Sequence, residues 1–340
     1  MGRLSLAEVE QSRWVHGDSA LLFITDRCPV GCKHCSVDSR PDSPKITDFE
    51  LFHQIVAGLA RSPFRIIGIS GGEPFVERRG LSHAVRELDR AGKGVVVYTS
   101  GFWARSPKPP AWIESVIDQC GSVFLSTDAF HQAGMGEERF GNAARAVVDR
   151  GTPLVVQVLD LDAEIDRAQR LLARALGPDW ADTVEVNKVP LLPYGRAGEI
   201  YSVSRRSPIE SFGSCRVARA RVVRYDGVVS ACCNEAVLMG AGPAWFRRRT
   251  ADAAGLLDVI GQFQDDDMLR TIGWEGVGRL AGHPLAGDLA GREATGICGA
   301  CWALVGRISR GAAAPDQTIP AGQPGQPVQP VQSVQSLEAV

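Results

Sequence analysis

The chain has 340 residues, of which 44% are apolar and 22% are charged, and these values are ordinary for a soluble globular protein. Its formal net charge is -2, so the composition gives no reason to expect a nucleic acid partner. We find neither a signal-peptide pattern nor an apolar run long enough to cross a membrane, and we therefore expect a cytoplasmic protein without a membrane partner.

Strands and helices alternate along the first 190 residues. Apolar strands separated by amphipathic helices favour an α/β protein with a parallel sheet and helices on one or both faces. Because the alternation stops near residue 190, it suits a partial barrel of six strands, although a doubly wound sheet gives the same linear order. In either fold, ligands bind at the carboxyl ends of the strands. The predicted strands are 21–25, 65–70, 95–99, 123–127, 154–159 and 184–189, and the predicted helices are 49–61, 81–91, 111–119, 137–150 and 163–176.

The rest of the chain has a different character. From about residue 190 to 310 the alternation is lost and cysteines return, which predicts a second, smaller domain that binds metal. Within it, Tyr225-Asp226-Gly227 predicts a hairpin turn between strands 221–224 and 228–231. From residue 311 the chain is mostly Ala, Pro, Gln, Gly and Val, and we expect this tail to be disordered. The expected division is 15–197, 198–310 and 311–340.

Three cysteines, Cys28, Cys32 and Cys35, follow the first predicted strand within eight residues. In a reducing cytoplasm, thiolates at this spacing bind metal more often than they form disulfides. A set of three ligands, rather than four, leaves one iron of an iron-sulfur cluster open to a substrate or cofactor. A zinc knuckle that borrows a distant fourth ligand is the alternative.

The spacing Cys-x-x-x-Cys-x-x-Cys resembles the motif of the radical S-adenosylmethionine (SAM) superfamily. The resemblance implies a (β/α)6 partial barrel, similar to a TIM barrel but open. It also implies a [4Fe-4S] cluster that is held by the three cysteines and binds SAM at its open iron. In that family, reductive cleavage of SAM gives a 5′-deoxyadenosyl radical, which removes a hydrogen atom from a substrate. An electron donor such as flavodoxin or ferredoxin would reduce the cluster.

Further motifs at the predicted strand ends support this resemblance. Gly71-Gly72-Glu73-Pro74 follows the second strand, and in the family this turn binds the amino group of SAM, while the glycines allow a close approach of the backbone to a ligand. Asp128 suits the ribose or carboxylate region of SAM, or it caps the next helix. The residues that the resemblance assigns to the cofactor are His34, Gly71, Gly72, Glu73, Pro74, Thr99, Ser126, Asp128, Asn187 and Val189.

The cysteines of the second half suggest another cluster. Cys215, Gly227 and Cys232 have a spacing that resembles the opening of a SPASM or twitch domain, and Cys298 and Cys301 form a Cys-x-x-Cys pair. No cysteine follows Cys301, which favours the shorter twitch form. The resemblance therefore implies one auxiliary [4Fe-4S] cluster held by Cys215, Cys232, Cys298 and Cys301. A zinc ribbon with the same four ligands is the alternative.

Cys233 is the spare thiol beside Cys232. Neighbouring side chains of a strand point to opposite faces, so Cys233 would face away from a cluster bound by Cys232. We expect an inert buried thiol, with two alternatives: a hydrogen-atom donor to a substrate radical, or a cluster ligand in place of Cys232. His131 is a candidate acid or substrate ligand, and Arg196, in a link resembling that of SPASM and twitch proteins, binds an anionic group or pairs with a barrel carboxylate. The candidates for catalysis are Cys233, Asp128, His131 and Arg196.

The resemblance implies an oxidoreductase-type enzyme that activates a C–H bond. We expect a peptide or natural-product substrate that is crosslinked or oxidised. Because only 20 residues precede the first predicted strand, no leader-binding domain is expected there, which makes a small-molecule dehydrogenase or epimerase acting on an aminocyclitol sugar the alternative. An iron-sulfur protein that binds SAM without turnover is the third hypothesis.

Overall fold

A mostly parallel sheet of nine strands organises the protein, in a computed structural model that describes residues 2–200 and 206–312. The strands are β1 (Ser19–Phe23), β2 (Ile66–Ser70), β3 (Gly94–Thr99), β4 (Ser122–Ser126), β5 (Leu154–Leu159), β6 (Val184–Val189), β7 (Ser207–Pro208), β8 (Arg221–Arg224), β9 (Val228–Ser230), β10 (Arg247–Arg249) and β11 (Glu293–Ala294). The order across the large sheet is β10-β9-β8-β1-β2-β3-β4-β5-β6, and β7 pairs with β11 in a separate two-stranded sheet. From β8 to β6 all neighbours are parallel, which confirms the predicted α/β class and parallel sheet.

Helices connect most of these strands. They are α1 (Leu6–Trp14), α2 (Phe49–Arg61), α3 (Arg78–Arg90), α4 (Ala111–Asp118), α5 (Ala129–Met135), α6 (Glu137–Val148), α7 (Asp162–Leu176), α8 (Ala197–Ile200), α9 (Glu235–Leu238), α10 (Ala253–Gln264), α11 (Asp267–Arg270) and α12 (Ile297–Ala312). Helix α2 begins where the sequence predicts, because Asp48 accepts a hydrogen bond from the backbone N–H of Leu51 and so caps its first turn. None of the helices that the structure describes is long and apolar enough to span a bilayer.

The crossover helices all pack on one face of the sheet. Alternate strand residues, such as Ile67 and Val95, lie in one apolar core with Phe52 of α2 and Phe140 of α6. A doubly wound sheet would carry crossover helices on both faces, so the structure decides between the two folds that the sequence left open. The arrangement fits a partial barrel with its helices outside.

The opposite face of the sheet encloses the interior of this partial barrel. Ile66, Val96, Phe124 and Val155 point into it from four successive strands, and Val9 of α1 packs against them. We call this space the barrel interior. Helix α1 therefore closes one side of the barrel, and the sequence analysis missed it.

The sequence contains a helix-start signal for α1. The Ser5 side chain accepts a hydrogen bond from the Glu8 N–H, and the Glu8 carboxylate accepts one from the Ser5 N–H, which is a complete capping box. The far end of α1 is held by Arg219, which donates from Nη1 to the Trp14 carbonyl at 3.0 Å. Hydrogen bonds therefore hold both ends of α1.

The second half of the chain extends the same sheet. Strand β8 is parallel to β1, and β8 and β9 form the predicted hairpin around Tyr225-Asp226-Gly227. Strands before and after residue 197 belong to the same large sheet, so the predicted domain boundary at residue 197 does not fall between two sheets. The domain division stays a prediction. Helix α12 continues to Ala312, and the remainder of the predicted disordered tail lies outside the described residues.

Candidate active site

The three N-terminal cysteines lie on the loop that follows β1, at the carboxyl edge of the sheet. The Cys28 N–H donates to the Arg40 carbonyl at 3.0 Å, and the Cys35 N–H donates to the Cys32 carbonyl at 3.2 Å. The Ser39 N–H donates to the Cys35 sulfur at 3.4 Å. The loop is therefore held by its own hydrogen bonds, at the edge where parallel-sheet proteins bind ligands.

The Gly71-Gly72 turn packs directly against the start of this loop. The Gly72 N–H donates to the Thr25 carbonyl at 2.7 Å, and the Glu73 N–H donates to the Arg27 carbonyl at 2.9 Å. A Cβ atom on Gly72 would overlap that Arg27 carbonyl. The sequence analysis explained both glycines by a ligand, whereas the structure shows that they let the turn contact the cysteine loop.

Glu73 is buried at the centre of this contact, with 1% of its surface exposed. Its carboxylate accepts four hydrogen bonds: from the Thr99 hydroxyl at 2.8 Å, the Phe75 N–H at 3.2 Å, the Ser100 N–H at 2.8 Å and the Ser100 hydroxyl. Burial raises the pKa of Glu73, and these donors oppose the rise. Burial and then the Glu73 carboxylate raise the pKa of Cys28 to about 12, so the carboxylate lies near that thiol.

Glu73 was expected to accept a hydrogen bond from the SAM ammonium group. Thr99, also assigned to the cofactor, here donates to Glu73 instead. A ligand would therefore have to compete with Thr99 and Ser100 for the Glu73 oxygens. Pro74 is buried and begins the short helical turn that follows Glu73.

Asp128 joins two histidines beside the cysteine loop. It caps α5 by accepting from the His131 N–H at 2.8 Å, while its Oδ2 accepts from His131 Nδ1 at 2.8 Å and His34 Nε2 at 3.0 Å. Burial alone would raise the pKa of Asp128, but the hydrogen bonds from His131 and His34 hold it well below its usual range. The His34 ring stacks on the Phe130 ring, with 4.6 Å between the ring centroids.

These contacts revise the interpretation that the sequence analysis gave to Asp128, His131 and His34. The helix-capping alternative for Asp128 is what the structure shows, together with contacts that the sequence did not reveal. His131 and His34 were named separately, and the structure brings both to one carboxylate. Phe130 was missed, since a single aromatic residue has no pattern that distinguishes it from core.

Arg196 binds the cysteine loop rather than an open pocket. Its Nε and Nη2 donate to the Cys32 carbonyl at 3.0 and 2.7 Å, and Nη2 also donates to the Ser39 carbonyl at 3.0 Å. Nη1 pairs with Asp38 at 2.6 Å, and the Arg196 N–H donates to the Cys35 carbonyl at 3.0 Å. The carboxylate partner therefore belongs to the loop and not to a barrel strand, and Arg196 is a positioning residue.

Three other cofactor candidates lie at the carboxyl ends of β4 and β6. Ser126 is the last residue of β4, and Asn187 and Val189 are in β6, which forms one edge of the sheet. Asn187 is in register with Gln157 of β5. Within residues 2–200 and 206–312, no hydrogen bond joins these three side chains to the cysteine loop.

The structure brings Cys215, Cys232, Cys298 and Cys301 together. Each of the other three thiols adds to the effect of burial in raising the pKa of Cys301 well above its usual value. Among the described residues, no three of these sulfur atoms lie within 4.8 Å of one another.

A single segment contacts both cysteine groups. The Tyr194 hydroxyl donates to the Cys298 sulfur at 3.4 Å, and two residues later Arg196 binds the N-terminal loop. Asn234 Nδ2 also donates to the Cys298 sulfur, at 3.5 Å. The sequence analysis did not single out Tyr194, and its contact with Cys298 spans 104 positions.

Cys233 points away from Cys232 and into the barrel interior. Cys232 lies in the outer core, whereas Cys233 packs beside Phe23 and Val222 and lines an interior cavity with Tyr98. The side chains point in opposite directions, as predicted, but β9 ends at Ser230 and neither cysteine lies in a strand. The side chain is half-buried and open to a cavity, unlike the inert core thiol that the sequence analysis expected.

A buried ion pair fixes the β8–β9 hairpin to the cysteine loop. Arg224 donates to both oxygens of Asp26, at 3.0 and 2.8 Å, and the Tyr225 hydroxyl donates to Asp26 at 2.7 Å. Asp26 stands two residues before Cys28. The sequence analysis missed this pair, because its members are 198 positions apart and no local pattern connects them.

Comparison with known proteins agrees with this geometry. Residues 22–152 match the family described as the Radical SAM superfamily, so the chain contains a radical SAM superfamily domain that includes the three cysteines, Glu73 and Asp128. The superfamily implies an enzyme with a [4Fe-4S] cluster and SAM. No curated protein matches the chain in sequence.

Similar folds occur among solved structures. SuiB of Streptococcus suis bound to S-adenosylmethionine has a TM-score of 0.51 at 10% identity, over 78% of this chain and 70% of that one. SuiB itself has a TM-score of 0.50 at 11% identity, over 78% and 70% of the two chains. The protein anSMEcpe with bound AdoMet and the Kp18Cys peptide has a TM-score of 0.49 at 12% identity, over 75% and 82%. At these identities, the two SuiB structures support the fold alone.

Proposed function

We propose that this protein is a radical SAM oxidoreductase that acts on a peptide or natural product. The observation that carries the proposal is the loop with Cys28, Cys32 and Cys35, which lies at the carboxyl edge of the parallel sheet and contacts the turn that contains Glu73. The superfamily match over residues 22–152 supports it.

The residues of the loop fit a [4Fe-4S] cluster. Three soft thiol donors share one short turn, and a backbone N–H donates to the Cys35 sulfur. A cluster bound here would supply the electron that cleaves SAM to a 5′-deoxyadenosyl radical, and that radical takes a hydrogen atom from the substrate.

The protein's own groups would position this chemistry. Arg196 holds the loop through the Cys32 and Ser39 carbonyls. Asp128 holds the rings of His34 and His131 beside the cysteine loop. We propose that Glu73 exchanges its contact with Ser100 for the SAM ammonium group when SAM binds.

The barrel interior would receive the part of the substrate that reacts. Its cavity has a volume of about 170 Å³, which holds roughly six waters or one side chain. A peptide would therefore insert a single side chain, while its backbone stays at the open edge of the barrel. SuiB, whose fold this chain resembles, is also known bound to its precursor peptide SuiA.

We propose an auxiliary [4Fe-4S] cluster at Cys215, Cys232, Cys298 and Cys301. Cys232 and Cys301 lie in one core cluster, with Cys215 packed against it, and this proximity of soft donors supports the proposal. In an oxidation or crosslink, the substrate would lose one hydrogen atom to the 5′-deoxyadenosyl radical, one electron to this cluster and one proton to solvent. A flavodoxin or ferredoxin would take the electron from this cluster, and would supply the electron that the N-terminal cluster needs for SAM cleavage.

A specific observation favours a second candidate function, epimerisation. Cys233 lines the same cavity, so its S–H bond can give a hydrogen atom to a substrate radical from inside the barrel. The substrate radical would take the hydrogen atom of the Cys233 thiol in place of the one it gave to 5′-deoxyadenosine, and the Cys233 thiyl radical would regain one electron from the external donor and one proton from solvent.

The test of radical SAM activity uses anaerobically reconstituted protein that is reduced with dithionite. We expect 5′-deoxyadenosine and methionine to form from SAM, and we expect no product from the variant with Cys28→Ala, Cys32→Ala and Cys35→Ala. Full SAM cleavage by that variant would contradict the proposal.

Turnover in heavy water separates the two reactions. Deuterium in the product, lost in Cys233→Ala while 5′-deoxyadenosine still forms, means epimerisation. An unlabelled product that is two hydrogens lighter than the substrate, with Cys233→Ala fully active, means oxidation.

A further inference from the structure

The cavity in the barrel interior has one apolar wall and one polar wall. Val9, Leu21, Ile66 and Val96 contribute the apolar wall. The polar residues that line the cavity are Arg13, Ser19, Ser70, Tyr98, Gln157 and Cys233, and the Arg13 side chain is 45% exposed to solvent. Such a small set of polar groups in an apolar pocket is what fixes the orientation of a bound molecule.

Arg13 provides the only positive charge among the residues that line this cavity. It stands in the last turn of α1, and Nη1 donates to Glu10 at 2.7 Å. Within residues 2–200 and 206–312, Nε and Nη2 have no hydrogen-bond partner. A planar guanidinium with unused N–H groups is suited to a carboxylate, which accepts two parallel hydrogen bonds.

Arg13, Tyr98 and Cys233 line the same cavity. Burial raises the pKa of Tyr98 to about 12, and the Arg13 charge opposes the rise. Glu10 and Glu235 are the acidic groups that act on this cluster from α1 and α9.

Arg13 belongs to a helix that is fixed at both ends. The Leu6 N–H donates to the Glu185 carboxylate on β6 at 2.8 Å, and Arg219 holds the Trp14 carbonyl. A guanidinium on such a helix loses less conformational freedom on binding than one on a mobile segment.

We propose that the barrel interior is a binding site for a carboxylate group, which pairs with Arg13 and lies beside Cys233. The cavity of about 170 Å³ accepts an acidic side chain or a small dicarboxylate, and excludes a folded segment. Within the function proposed above, on which this assignment of substrate class rests, the substrate carries a carboxylate near the carbon that reacts.

The test measures the alkylation of Cys233 in the reconstituted holoprotein, by peptide mapping. Two reagents of similar size are compared: iodoacetate, which is an anion, and iodoacetamide, which is neutral. Both reagents react with the thiolate of Cys233, so the ratio of their two alkylation rates does not depend on the fraction of this thiol that is ionised. We expect Arg13→Gln to lower the iodoacetate-to-iodoacetamide ratio roughly fivefold, because it removes one attracting charge. Arg13→Lys should keep most of the ratio, and Glu10→Gln should raise it.

Glutarate serves as the probe for binding. It should protect Cys233 from iodoacetamide in the unaltered protein and not in Arg13→Gln. An unchanged reagent ratio in Arg13→Gln, or equal protection of both proteins, would overturn the proposal. Neither measurement needs SAM or turnover, so a protein that fails to cleave SAM but shows the Arg13 effect contradicts the enzyme proposal and leaves the anion site standing.

Discussion

The two cysteine groups are built in opposite ways. Cys28, Cys32 and Cys35 share one short loop, whereas Cys215, Cys232, Cys298 and Cys301 come from three separate segments that the fold assembles. The first group is held by backbone hydrogen bonds and Arg196, and the second by the packing of the hairpin and α12. A local site is fixed by its own turn, while an assembled site depends on every segment that carries a ligand.

The two groups are also physically connected. Tyr194 contacts Cys298, Arg196 contacts Cys32, and the Asp26–Arg224 pair ties the hairpin before Cys232 to the loop before Cys28. A substitution that removes one of these contacts should therefore disturb the two cysteine groups to different extents.

The largest effect is expected at the buried ion pair. Asp26→Ala leaves the Arg224 charge buried without its partner, which costs roughly 3 kcal/mol or more of unfolding free energy. Urea unfolding measures this loss, with the partly exposed Asp226→Ala as control. Equal, small losses in both variants would contradict a structural role for the pair.

A smaller effect is expected at Glu73. Glu73→Ala leaves buried donors of Thr99 and Ser100 unsatisfied, each at a cost of about 1–3 kcal/mol, and SAM binding should weaken by roughly 1.5–3 kcal/mol. Equilibrium binding of SAM to the reconstituted protein measures the second quantity.

Ser100→Ala is the matched control, because it removes one of the two Ser100 donors at Glu73 Oε2 and leaves the Glu73 carboxylate in place. SAM binding should be unchanged or tighter in this variant. If folded Glu73→Ala protein binds SAM normally, the turn does not contact the cofactor.

The smallest effect is expected at Tyr194. Tyr194→Phe removes one of the two side-chain donors at the Cys298 sulfur, which should lower the reduction potential of the C-terminal cluster alone. Redox titration followed by electron paramagnetic resonance measures both clusters, with Tyr98→Phe as control. A shift of the N-terminal cluster instead would mean that Cys298 is not a ligand of the C-terminal one.

The sequence predicted what local patterns encode. Six parallel strands and the hairpin at Tyr225-Asp226-Gly227 were found, because apolar runs and turn residues are local signals. Helix α1 was missed although its Ser5–Glu8 capping box is present, because its apolar residues show little helical pattern. The structure adds contacts around the predicted site residues. Their roles in cofactor binding and catalysis stay predictions.

The features that the sequence analysis did not predict depend on tertiary contacts. The sequence could not reveal that Gly71 and Gly72 pack on the cysteine loop, that Asp128 joins His34 and His131, or that Asp26 pairs with Arg224. Each of these depends on a partner that is distant along the chain. For Cys233, strand alternation gave the direction of the side chain, but only the fold placed a cavity there.

The central claim is that the three-cysteine loop, and not the four-cysteine group, binds SAM through an open iron. The most direct test is electron paramagnetic resonance of the variant with Cys215→Ala, Cys232→Ala, Cys298→Ala and Cys301→Ala, reduced with and without SAM. We predict about four irons per chain, a single [4Fe-4S] signal and a change in that signal when SAM is added. A signal that SAM does not change, with full iron content, would contradict the account.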